Sequence, residues 1–143
     1  MSAASDYMER LLLDVIFGTL PADWDRPAAF DTLYFGLFTA APSDSGGGTE
    51  VSGNAYARVG VTNNTTNFAA AATSTGTTTK KNATTIQFPQ ATPSGWGTVT
   101  HWGIFDAASA GNLLFWGALT ASRAVVNGDA PRFIADAFSI ECQ

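Results

Sequence analysis

The sequence predicts a mainly β fold, an antiparallel β-sandwich or open barrel preceded by one N-terminal amphipathic helix. Three observations carry that expectation. Helical spacing of apolar residues occurs only near the start of the chain. Beyond it, short apolar stretches alternate with turn-rich loops. Charged residues make up 13% of the 143 residues, against about a quarter in most soluble domains, and Gly, Thr, Ala, Ser and Asn take their place. Such a surface lacks the Lys and Glu of helical exteriors and reads as strand and loop. A chain of this length can bury a core without metal or disulfide staples. The expected division is an arm over residues 1–20 and a β-domain over 21–143.

Residues 5–17, SDYMERLLLDVIF, supply the helix. Asp6 and Glu9 have capping-box spacing and suit the positive end of the helix dipole. Tyr7, Met8, Leu11, Leu12, Val15 and Ile16 recur at helical spacing, and Gly18 is a natural stop. LPADWDRPAAF, with two prolines, is a connector. TLYFGLFT (32–39) fits a buried strand, and AAPSDSGGGTEVSG a loop. NAYARVGVTN (54–63) alternates as a second strand. The Thr/Ala/Asn-rich span that follows, with few core candidates beyond Phe68, reads as a long excursion with one weak edge strand. Within it, Lys80-Lys81 reads as a solvated tip. TIQF (85–88) is a short strand broken by Pro89. A hairpin follows: strand 98–105, loop 106–112, strand 113–119. VVNGD (125–129) carries an Asn-Gly turn signal, and 137–142 forms the last strand.

Composition excludes several classes of function. A net charge of −5, with one adjacent pair of basic residues, argues against nucleic acid as a partner, because phosphate binding needs clustered Lys and Arg. Cys142 is the single cysteine, so no intrachain disulfide can form. No apolar run approaches the roughly 18–20 residues of a membrane-spanning helix. The start of the chain has no basic region followed by a long apolar one, so no signal peptide is expected and folding is placed in a cytosol. The Asn-x-Thr triplets at Asn63, Asn64 and Asn82 would accept glycans only in a eukaryotic secretory setting.

His101 is the single histidine. A zinc site needs several ligands, and His101 with Cys142 does not supply them. A Ser-His-Asp arrangement with Asp106 lacks a G-x-S-x-G elbow. The carboxylate pairs Asp23/Asp25 and Asp44/Glu50 lack calcium-loop spacing, and the glycine-rich loop at 46–48 lacks the Lys and helix of a phosphate cradle. No catalytic residue, metal or cofactor is therefore assigned. Trp96, Trp102, Trp116 and Tyr34 could stack on sugar, but such side chains in a small β-domain more often form core or subunit interface. The strand at 113–119 is apolar on both faces, so a second layer is expected on it, either the helix or another copy of the chain.

EVSGNAYAR and WGTVTHWGIFDAASAGNLLFWGAL are the most specific stretches. Through them the chain, from about Asp6 to its last strand, resembles a family of small tailed-bacteriophage virion proteins commonly labelled phage tail fibre proteins. The resemblance implies a non-enzymatic virion component, made in the host cytoplasm, that assembles with itself and docks on a larger virion protein. By analogy with fibres it implies a homotrimer. Apolar contact area is then expected from Tyr7, Leu11, Leu12, Val15 and Ile16 of the helix and from Trp102, Ile104, Phe115 and Trp116 of the hairpin. The alternatives are a capsid decoration or cement protein of the phage head, and a receptor module binding host surface glycan.

Overall fold

The computed structural model describes residues 13–17, 30–43 and 47–142. The helix start, its capping box, the proline connector and the contacts expected at Tyr7, Leu11 and Leu12 lie outside them. Among the described residues the fold is mainly β, in open antiparallel sheets. The strands are β1 (Thr32–Ala40), β2 (Thr49–Glu50), β3 (Val59–Thr62), β4 (Ala72–Ser74), β5 (Thr77–Lys81), β6 (Ile86–Gln87), β7 (Gly97–Phe105), β8 (Leu113–Val125), β9 (Arg132–Phe133) and β10 (Ser139–Cys142). The chain divides into two compact units. One comprises Thr32–Val61 and Gln87–Arg132; the other comprises Thr62–Ile86, Phe133–Gln143 and the segment up to Asp31.

The first unit is built on a sheet of order β2-β1-β7-β8, with β3 also pairing with β1. In β1 the aromatic run alternates as a pleated strand requires. Leu33, Phe35 and Leu37 share one face with Ile104, and all four are buried. Tyr34, Gly36 and Phe38 share the other face, opposite Phe105, Gly103 and His101. The strand expected from residue 54 starts late, at Val59. Asn54 and Ala55 sit at positive φ (50° and 62°), so the chain turns there before it can extend. The Asn-Gly turn at 127–128 is present, closed by Asp129, which accepts from the Val126 N–H (3.1 Å) and donates its own N–H to the Val126 carbonyl (3.1 Å).

Several glycines in this unit are set by close approach, Gly117 and Gly95 among them. A Cβ on Gly117 would lie 2.7 Å from the Trp102 ring, the indole that crosses its cross-strand partner. A Cβ on Gly95 would meet backbone alone, namely the Val125 carbonyl oxygen and the Val126 Cα at 2.8 Å. Gly95→Ala must therefore push two chain segments apart and stretch the Trp96 N–H···O=C Val125 bond (2.9 Å). A loss of about 3 kcal/mol is expected in denaturant unfolding, the upper end for one added methyl. A wild-type midpoint would refute the fit.

The second unit carries a sheet of order β10-β5-β4. The span expected to be an excursion with one weak edge strand in fact holds its central strand. Hydropathy hides β5 because its inward positions are polar: Thr78 and Lys80 are buried between the outward Thr77, Thr79 and Lys81. Lys80-Lys81 is therefore not a solvated tip. Lys80 is 1% exposed, and its Nζ lies 2.7 Å from Asp14 Oδ1, which also accepts the Ala71 N–H (3.0 Å). The helical turn at 13–16 buries Leu13 and Phe17, an i, i+4 pair, and Phe17 meets the Phe68 ring edge-on at 5.4 Å. Asn63 donates to the Ile16 and Phe30 carbonyls. Asn82, fully buried, donates to the Thr84 and Ile134 carbonyls and accepts the Phe138 N–H. Both amides are internal fasteners, which removes Asn63 and Asn82 as glycan acceptors.

Candidate contact surface

The β7–β8 hairpin carries the surface. Its strands pair from Gly97 opposite Val125 to Phe105 opposite Leu113. β8 stands at the end of the strand order, so among the described residues no strand pairs with its outer edge. The expectation of a strand buried on both faces is corrected. Leu113, Leu114, Phe115 and Leu119 are half-buried, Trp116 is 37% exposed, and the strand runs on through exposed residues to the buried Val125. Two-sided apolar character here marks an edge strand that keeps part of its apolar surface in the open. Natural sheets seldom leave such an edge long and uncharged unless something covers it.

The expected contact residues fall into three groups. Trp102, Phe115 and Trp116 lie on the hairpin with part of their surface exposed. Ile104 is fully buried and belongs to the sheet's own interior. Val15 and Ile16 are half-buried, because the helical face that packs is the Leu13–Phe17 one. His101 sits beside Trp116, ring centroids 6.2 Å apart, and its Nδ1 is 2.8 Å from Thr100 Oγ1. Among the described residues, no group of three or more His, Cys, Asp or Glu side chains is placed to hold a metal ion.

What shapes this hairpin is a network the sequence reading missed. Arg58 forms a two-pronged ion pair with Glu50 (Nε–Oε1 2.8 Å, Nη2–Oε2 2.7 Å). Its Nη1 donates to the carbonyls of Ala107 (2.9 Å) and Ala110 (2.7 Å), and its guanidinium stacks 3.3 Å above the Phe105 ring. Tyr56 donates to Glu50 (2.9 Å) and accepts the Leu37 N–H (2.9 Å); burial pushes its hydroxyl well above the ordinary phenol range. The Tyr56 ring meets Trp96 edge-on at 5.2 Å, and the Trp96 indole donates to the Asn54 carbonyl (3.0 Å). EVSGNAYAR thus clamps β1 to the hairpin tip. One signal could have found it: Arg58 is a lone cation among apolar and small residues in a chain with only seven basic side chains.

The tip closes on itself as well. Asp106 accepts the side-chain amide of Asn112 (2.6 Å) and its N–H (2.7 Å), and these two bonds, in that order, hold its carboxyl below the ordinary value of 3.8. A lowered folded value means that the carboxylate's contribution is complete above the ordinary aspartate range and is lost as pH falls through the folded value. Faster exchange of the Asn112 amide is expected as the pH drops below about 4, after correction for intrinsic exchange. Protection that did not change with pH would contradict the assignment.

With the geometry in view, comparison with protein families identifies the chain. A family model described as Podophage GP4 fiber I protein gp80 matches residues 3–141, so the chain belongs to this phage tail fibre family and is a component of the virion. Comparison with curated proteins finds no match.

Proposed function

We propose, with membership of this phage fibre family as the premise, that the chain is a non-enzymatic structural subunit that associates with copies of itself and docks on a larger virion component. The observation that carries this reading is the β8 edge, thirteen residues long with one charged side chain and a half-exposed apolar run. Pairing or covering such an edge removes both its open backbone groups and its apolar surface from water. Val15 and Ile16, left partly exposed by the helical turn, add area for docking. The measurement is the native mass of the purified protein. An oligomer that Trp116→Ala shifts toward monomer supports the reading, and a wild-type monomer at particle-like concentrations overturns it. The fibre resemblance implies three copies.

Imaging of tagged particles is expected to place the protein on the tail; density on the head would favour capsid decoration instead. A host glycan stacked on Trp116 is the second reading, favoured by that ring's exposure on a sheet. It requires glycan-array binding that Trp116→Ala abolishes. His101→Ala is expected to leave assembled, infectious particles; loss of infectivity with assembly intact would count against a purely structural role.

A further inference from the structure

We infer that Asn127 is a site of spontaneous deamidation and that the hydrogen bonds around Gly128 set its rate, a property separate from the self-association proposed above. Asn-Gly occurs once in the sequence, at 127–128, and both residues are exposed in the turn that follows β8. Asparagine is among the thermolabile residues, and a following glycine has no side chain to shield its peptide nitrogen from the carboxamide. Asn54, Asn63, Asn64, Asn67, Asn82 and Asn112 all precede larger residues, and each of these side chains is held in a hydrogen bond. The reaction needs only water. The Gly128 nitrogen loses its proton to solvent base and attacks Asn127 Cγ, closing a cyclic imide as the Cγ–Nδ2 bond breaks and ammonia leaves. Water then opens the imide. Attack at Cγ gives aspartate; attack at the main-chain carbonyl gives isoaspartate, which routes the chain through the side-chain methylene.

In the native turn the attacking nitrogen is engaged. The Gly128 N–H donates to the carbonyl of the buried Ala91 (2.8 Å), and Gln90 Nε2 donates to the Gly128 carbonyl (2.8 Å). Asp129 closes the turn on Val126 and accepts the Ala91 N–H at its own carbonyl (2.8 Å). The peptide between Asn127 and Gly128 is thus fixed by the same bonds that hold Gln90 and Ala91 to the turn. Attack on Cγ requires that latch to open first, so the fold slows the reaction that the dipeptide favours. Isoaspartate does not fit the closed turn. One extra main-chain carbon shifts Gly128 away from Ala91 and Gln90 together and sets a new carboxylate beside Asp129.

The test uses the full chain, incubated in mildly alkaline buffer both native and in denaturant. Intact mass and peptide mapping that separates aspartate from isoaspartate follow the product. Asn127 is expected to convert before any other asparagine, and about tenfold or more slowly in the native protein than in denaturant. Gln90→Ala, at an exposed position, is expected to speed native conversion about fivefold, the weight of one hydrogen bond, with the rate in denaturant unchanged. Asp129→Ala, which removes the side-chain bond to the Val126 N–H, is expected to act in the same direction. Exchange of the Gly128 amide rises with conversion in both variants, while the Leu37 amide, held by Tyr56, stays protected. First conversion at another asparagine, or equal native and denatured rates, overturns the inference. So do wild-type native rates in both variants, or acceleration accompanied by exchange at Leu37, which would trace it to global unfolding.

Discussion

Arg58→Ala is expected to lower stability by about 3 kcal/mol, or roughly 10 °C in Tm, and to loosen the hairpin tip first. The Arg58 side chain is 8% exposed, and removing it strands Glu50 against the sheet and takes the donor from two loop carbonyls. Glu50 keeps 25% of its side-chain surface in water and can partly rehydrate, which places the cost at the low end for a broken buried pair. Arg58→Lys keeps the charge but loses the fork and the stacking on Phe105, so an intermediate loss is expected. Denaturant unfolding gives the total, and amide exchange at Ala110 and Asn112 gives its location. An alanine variant within 1 kcal/mol of wild type would show that the network is dispensable.

Asp14→Ala is expected to cost more than Lys80→Met, although the two remove opposite ends of one bond. The aspartate variant leaves an ammonium that is 1% exposed with its carboxylate gone, a loss of about 3–5 kcal/mol. The methionine variant keeps the volume and leaves Asp14 one-fifth exposed and still bonded to the Ala71 N–H, a loss of about 1–2 kcal/mol. Combining Asp14→Ala with Lys80→Met should recover most of the difference, since no buried charge is then left alone. Equal losses for the two single variants, adding in the double, would mean that the pair is not coupled.

These two clusters mark where the sequence was legible and where it was not. β1, β7 and the start of β8 were readable because aromatic and β-branched residues alternate between turn signals. β5 was not, because Thr78 and Lys80 occupy inward positions that hydropathy assigns to solvent. A buried lysine becomes legible only once Asp14, 66 residues away, is known to face it. The Arg58 cluster likewise joins positions 50, 56, 58, 107 and 110, which no local pattern links. Trp102, Phe115 and Trp116 were correctly placed on one hairpin, but burial could not be ranked from residue type, and Ile104 went to the interior. The strand at 113–119 was read as doubly covered because an edge strand with apolar faces and a central strand have the same composition.

The guanidinium of Arg58 holds the hairpin loop on either side of Ala108 and Ser109, through the carbonyls of Ala107 and Ala110. Both enclosed residues are exposed. The frame is gripped by main-chain atoms, which every amino acid provides, so the identity of the enclosed pair is decoupled from the fold. Substitutions at those two side chains are therefore expected to leave the mount beneath them unchanged. The same frame would display a grafted dipeptide in a fixed orientation.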